Sequence, residues 1–259
     1  MSRTRISYGP EPEQFGHLYL PDGVGERRVP VVMVIHGGYW NGDHHLNLGT
    51  PLATELARRG VAAWNIEYRR LGAGGCWPEI SADVTSALDA IGTLVAAHAR
   101  SAGVELDPAQ VRVVGHSAGG QLAVWLAGED TVVRPSLVIG QAAALDLASA
   151  GERGRRVDYL EALFGASYEQ DPQVYRSASP RHRLPIGRPI VLIHGSDDKQ
   201  VPAKVAARYA EIARETGDDV ALHIVDGEDH FAFLNKNTAC WKLSLDLLVP
   251  DPAVGTPLP

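Results

Sequence analysis

Residues 111–127, VRVVGHSAGGQLAVWLA, hold the stretch on which the reading of this chain turns. Val111, Val113 and Val114 are β-branched and read as the end of a strand, and the segment 121–127 reads as a helix. Between them Gly115-His116-Ser117-Ala118-Gly119 fits the pattern G-x-S-x-G, in which a strand turns sharply into a helix. The turn needs glycine at both ends, because a side chain there would strike neighbouring backbone. It holds the Ser117 hydroxyl out at the sheet edge and aims the Ala118 amide at a developing oxyanion.

Outward from this turn, short apolar runs alternate with longer helical ones, as in a parallel sheet covered by helices. Val29–Ile35 is a near-continuous apolar run, expected of a strand buried on both faces. Residues 61–68, 190–194, Leu137–Gln141 and Val220–Val225 read the same way. Ile80, Val84, Ala87, Leu88, Ile91, Leu94 and Val95 form one stripe of a 3.6-residue period, with Pro78 near the start of the helix. Residues 142–185 break the alternation and hold no strand candidate. They are too few for a core of their own and read as a cap inserted over the strand ends. The expected architecture is α/β, a doubly wound and mostly parallel sheet with helices on both faces, in one domain spanning 1–259. The tail after Val249 reads as a frayed terminus.

Three further segments sit just past predicted strands. His36-Gly37-Gly38-Tyr39-Trp40 leaves amides free for a carbonyl oxygen. His194-Gly195-Ser196-Asp197-Asp198 places two adjacent carboxylates on one loop, of which only one can serve a histidine. That histidine is His230, in Gly227-Glu228-Asp229-His230-Phe231. Asp146 is a reserve for the acid. The chain order Ser, Asp, His matches that of α/β-hydrolases.

On these motifs (HGGYW, GHSAGG, HGSDDKQVP and GEDHF) the chain resembles the α/β-hydrolase superfamily from about Phe15 to Leu248. The H-G-G-x-W form is similar to arylformamidases (kynurenine formamidases) and their esterase relatives. The chain departs from hormone-sensitive-lipase-like esterases at Tyr39 and His116. The resemblance implies Ser117 as nucleophile, Asp198 as acid partner and His230 as base, with oxyanion amides from Gly37, Gly38 and Ala118. The implied chemistry is acyl transfer to serine and hydrolysis of a small-molecule ester or aryl formamide, with no metal or organic cofactor. Tyr39, Trp40, Trp77 and Phe231, with Tyr159 and Phe164, are candidates for the walls of a substrate pocket. General carboxylesterases, prolyl-oligopeptidase-type peptidases and non-catalytic binding modules share the motif order and stay open as alternatives.

Other features have plainer readings. Asp43-His44-His45 with His36 lacks the spacing of a metal site. Arg69-Arg70 could meet a substrate carboxylate, but an ion pair with Glu79 or Asp83 suits it better. A net charge of −7 with scattered cations argues against nucleic acid or an anionic membrane as partner. No apolar run approaches the roughly 20 residues of a membrane span, and the charged N-terminus is followed by no signal-like apolar stretch. Cys76 and Cys240 read as free thiols, and a cytoplasmic location is expected by default. Nothing in the sequence speaks to oligomeric state.

Overall fold

A computed structural model describes residues 1–250. The chain opens with two strands that the sequence reading passes over, β1 (Ser2–Ser7) and β2 (Phe15–Leu20). They pair antiparallel, and β1 lies at the sheet edge with only Ile6 buried, so its apolar signal is too weak to read. Next come β3 (Val29–Ile35), β4 (Ala62–Ile66), β5 (Leu106–His116), β6 (Leu137–Gln141), β7 (Ile190–Gly195) and β8 (Val220–Val225). The eight strands form one sheet in the order β1-β2-β4-β3-β5-β6-β7-β8. From β4 to β8 every pairing is parallel, while β2 runs antiparallel to β4.

The strands show why a run of valines is wanted. Along β3, Val31, Met33 and Ile35 point into one core, and Val32 and Val34 into a second on the other face. Period two sends successive side chains to opposite faces. The second core is closed by α1 (Thr50–Arg58) and α9 (Ala239–Leu248), through Leu52, Leu56, Trp241 and Leu245. The first is covered by α2 (Glu79–Asp89), α3 (Leu94–Ser101), α4 (Ala118–Leu126) and α8 (Lys204–Glu215). Between β6 and β7 the chain forms α5 (Leu147–Glu152), α6 (Val157–Phe164) and α7 (Pro172–Ala178) with no strand among them.

The single long helix expected over Ile80–Val95 is two helices. A 3-10 turn at Ala90–Gly92 and an irregular Thr93 (φ −125°, ψ −92°) separate α2 from α3. Gly92 and Thr93 are poor helix formers, and the offset they introduce leaves Leu94 exposed while Val95 stays buried. The stretch Glu79–Ser101 is 23 residues long and, by length and composition alone, apolar enough to cross a membrane. Its many small residues give it that hydropathy without an unbroken apolar run. In the fold about half of it is buried, with Ile80, Val84, Leu88 and Val95 in the first core. The predicted frayed tail falls largely on residues 251–259, outside the described residues.

Because β3 and β5 to β8 run parallel, their C-terminal ends share one edge of the sheet. The four motifs sit on the loops at that edge, where open α/β sheets place their ligands.

Candidate active site

At the end of β5 the chain turns through Ser117 with φ 56° and ψ −115°, a conformation that costs a non-glycine residue about 1–3 kcal/mol. The surroundings hold it there. The Ser117 amide donates to the Gln141 carbonyl at 2.8 Å, and its own carbonyl accepts from the Gln121 amide at 3.0 Å. Any Cβ at Gly115 would lie 2.0 Å from the Gly119 carbonyl oxygen, and one at Gly119 would lie 2.3 Å from that of Ile35. Both glycines are obligatory for the reason the sequence suggested. Gly37 also comes close, a Cβ there lying 2.6 Å from the His116 carbonyl oxygen and 3.1 Å from Ser117 Cβ.

Three side chains from three loops meet at this turn. The Ser117 hydroxyl lies 2.9 Å from His230 Nε2, and His230 Nδ1 lies 2.7 Å from Asp198 Oδ2. Of the two adjacent aspartates, Asp198 is buried and faces the histidine, whereas Asp197 is exposed. The loops after β7 and β8 are clamped together to achieve this. The Asp197 amide donates to the Glu228 carbonyl at 3.0 Å, and Gly195 approaches so closely that a Cβ would sit 2.1 Å from the same oxygen.

Asp198 accepts hydrogen bonds on both oxygens. Oδ1 takes the amides of Gln200 and Val201 at 2.8 and 2.9 Å. Oδ2 takes His230 and, at 3.1 Å, Nε2 of His194, which also reaches the Val201 carbonyl at 2.8 Å. Burial alone would raise the pKa of this carboxyl. The hydrogen bonds from the two imidazoles and the charge of His230 outweigh it and hold the group well below the ordinary carboxylate range. Sequence reasoning missed His194 as a partner, although it stands four residues before Asp198 in the same motif. His116, also missed, donates Nε2–H to the His230 carbonyl at 2.8 Å. Burial, and then the nearby His230, push its pKa down to about 3, so it is neutral at pH 7.

Other candidates lie elsewhere. His36 is fully engaged, with Nε2 2.7 Å from Glu67 and Nδ1 2.7 Å from the Gly37 carbonyl, and it stacks on Tyr68. Among the described residues no three His, Cys, Asp or Glu side chains are grouped as metal ligands. Arg69 grips both oxygens of Asp83, the ion pair foreseen for it, and Arg70 is buried against Glu67 and Glu13. Asp146 caps α5 through the Ser149 amide and pairs with Arg181, with no contact to His230. Glu228, read as a plain loop residue, accepts the first two amides of α9, from Ala239 and Cys240. Cys76 and Cys240 are both free thiols.

A cleft of about 600 Å³ opens beside Ser117 and Ala118. Tyr39 and Trp40 line it as expected. Trp40 is fixed by its indole N–H to Gln121 at 3.0 Å, and Tyr39 stacks on Tyr159 at 4.6 Å while its hydroxyl donates to Gln200. The other four candidates are not in its lining: Tyr159 reaches it only by backing Tyr39, and Phe164 packs on Tyr175. Trp77 packs edge-on against Trp125 and Phe164 beside the first core, held by its amide to the Leu163 carbonyl. Phe231 is 54% exposed and meets His230 only from outside, edge to face. Adjacency in sequence to His230 placed it near the site, but the backbone turn sends its ring outward. Cap residues Leu147, Ala150 and Leu160 and α8-side residues Val201, Pro202 and Val205 supply the apolar walls instead.

A mostly parallel sheet with this strand order, a strained serine at the β5–α4 turn and a histidine and aspartate on later loops together define an α/β-hydrolase fold. Residues 17–211 match the BD-FAE family, and the chain belongs to it. It is 29% identical over 231 residues to Esterase LipC of Mycobacterium tuberculosis, across 82% of this chain and 55% of that protein. A probable isoprenylcysteine alpha-carbonyl methylesterase of Oryza sativa subsp. japonica is 25% identical over 261 residues, across 87% of this chain and 57% of the relative. The chain thus spans little more than half the length of these curated relatives. In fold it is similar to the thermophilic esterase Est2 of Thermogutta terrifontis, with a TM-score of 0.73 at 23% identity, covering 95% of this chain and 89% of that one.

Proposed function

We propose that this protein hydrolyses small-acyl esters through a covalent acyl-enzyme on Ser117. The observation that carries the reading is the unbroken line of hydrogen bonds from Ser117 Oγ through His230 to Asp198, at 2.9 and 2.7 Å. In this reading His230 Nε2 takes the serine proton as Oγ bonds to the acyl carbon, and it returns that proton to the leaving oxygen as the ester C–O bond breaks. Water, activated by the same nitrogen, then releases the acid and restores Ser117. Asp198 fixes the imidazole with Nδ1 protonated and stabilises its cation. Gly37, Gly38 and Ala118 are the proposed oxyanion donors. In support, the amides of Gly38 and Ala118 donate to no acceptor among the described residues. The chemistry calls for no metal or organic cofactor.

The leaving group is assigned to the cleft, whose apolar walls suit it. Tyr39 and Trp40 in its lining offer flat aromatic surface, so aryl formamides join aryl esters as candidate substrates. The names of the relatives, esterase and methylesterase, favour the ester. The test is labelling by a fluorophosphonate probe with wild type and Ser117→Ala, alongside turnover of aryl acetates and N-formylkynurenine. Labelling that persists in a folded Ser117→Ala protein would remove the nucleophile. Acetate turnover with an untouched formamide would remove the formamide reading alone.

A further inference from the structure

The cleft beside Ser117 is opposite in sign to the chain as a whole, whose net charge is −7. Its lining includes Arg153, Arg155, Arg156, Arg181, Lys204 and Arg208 against one carboxylate, Asp146. Arg181 is taken by Asp146, and Arg208 pairs with Glu211. Arg153, Arg155, Arg156 and Lys204 are exposed, and no carboxylate among the described residues neutralises them. They converge from two separate elements, the loop between α5 and α6 and the first residue of α8. Like charges gathered at one rim repel, and the assembly is stabilised when an anion enters it.

Arg156 shows that the rim is organised. Its backbone is left-handed at φ 56°, just after Gly154 at φ 62°. Its guanidinium donates to Gln200 Oε1 at 2.6 Å and lies 5.2 Å over the Tyr39 ring. Gln200 Oε1 also accepts the Tyr39 hydroxyl at 2.8 Å. One guanidinium nitrogen is therefore anchored to the wall of the cleft, and the remaining donors of a group that carries five N–H bonds are left for a ligand.

We infer that the cleft takes esters whose leaving group carries an anion, a carboxylate or a phosphate, held by Arg153, Arg155, Arg156 and Lys204 while the scissile carbonyl lies at Ser117. The inference rests on the ester-hydrolase reading and specifies which ester. Guanidinium groups pair with both anions through two parallel hydrogen bonds.

The test compares kcat/KM for 4-acetoxybenzoate, 4-acetoxyphenyl phosphate and the neutral 4-acetoxybenzamide, at low and high salt. The anionic acetates should be preferred by about tenfold or more at low salt, with the preference shrinking as salt screens the rim. Which anion leads identifies the group. The preference should collapse at least tenfold in Arg155→Glu/Lys204→Glu, and partially in the milder Arg155→Gln/Lys204→Gln. Equal turnover of the three acetates, abolished by Ser117→Ala, would overturn the inference and leave the esterase standing. If none is turned over, the ester reading fails and calorimetric titration of Ser117→Ala decides the subsite. Binding of 4-acetoxybenzoate that is lost in the charge-reversed background supports it, and absent binding, or equal binding of the benzamide, overturns it.

Discussion

His194 and His230 both donate to the same carboxylate oxygen, Oδ2 of Asp198, at 3.1 and 2.7 Å. Because His194 also contacts the Val201 carbonyl through that nitrogen, Nε2 carries its proton. In the proposed mechanism the imidazole of His230 exchanges protons and that of His194 holds the acid partner. His194→Phe should keep the fold and lower kcat by about 10–100-fold with little change in KM, since it misplaces Asp198 and leaves the cleft intact. Steady-state kinetics on a small acetate check this, and an unchanged kcat would reduce His194 to core filling.

The adjacent aspartates should separate cleanly. Asp198→Asn should cost about 10³–10⁴ in kcat, because the amide favours the wrong imidazole tautomer. Asp197→Asn should cost less than about threefold, since its carboxylate is exposed and touches only Ser196. Parallel kinetics of the two variants decide it, and the reverse ranking would displace Asp198 from the proposed role.

Gly195→Ala should misalign two loops at once. The added methyl would sit 2.1 Å from the Glu228 carbonyl oxygen, backbone that cannot step aside without moving His230 two residues on. A stability loss of about 1–3 kcal/mol, seen in urea unfolding, should accompany a larger fractional fall in kcat than in thermal midpoint. A variant that is fully active and fully stable would show that the loops do not depend on this approach.

Acid should destabilise the protein in two windows. The folded pKa of His116 is depressed to about 3, so the unfolded chain binds the extra proton first as pH falls. The contribution of this group to stability is complete above the unfolded value near 6.5 and is lost progressively between there and about 3. Asp198 and Glu67 are depressed as well, so theirs is present above about pH 4 and is lost below it. Denaturant midpoints from pH 7.5 to 4.5 should fall in wild type and flatten in His116→Gln. An equal slope in both would detach this window from His116.

Much of this was legible along the chain because the physics involved is local. The valine runs, the stripe from Ile80 and the glycines around Ser117 report what each segment needs for burial on two faces or for a turn without a Cβ. Such signals located the parallel strands, the strandless stretch after β6 and the loops carrying Ser117, Asp198 and His230. The strand β1 escaped because an antiparallel edge buries little and leaves a weak pattern, and β2 because Gly16 and His17 interrupt a short run whose buried apolar side chains are only Leu18, Tyr19 and Leu20. The break at Gly92 and Thr93 escaped because a periodic stripe tolerates one irregular turn.

What only the tertiary structure decided depends on contacts between distant segments. The motif resemblance names Asp198 as the acid, but the means of turning it to His230, the backbone clamp between Gly195 and Glu228, is a contact between two distant loops. Trp77 and Phe231 are candidates for the cleft as aromatics, and Phe231 also by its adjacency to His230. The fold sends one against Trp125 and the other into solvent, since the direction of a side chain follows from the whole packing around it. The arginines at 153, 155 and 156 drew no notice in a chain of net negative charge. Their meaning arises where the cap folds over the strand ends and brings them to Lys204 and Gln200. Sequence records local preferences residue by residue, whereas a cleft is a sum over loops whose separation along the chain no local preference encodes.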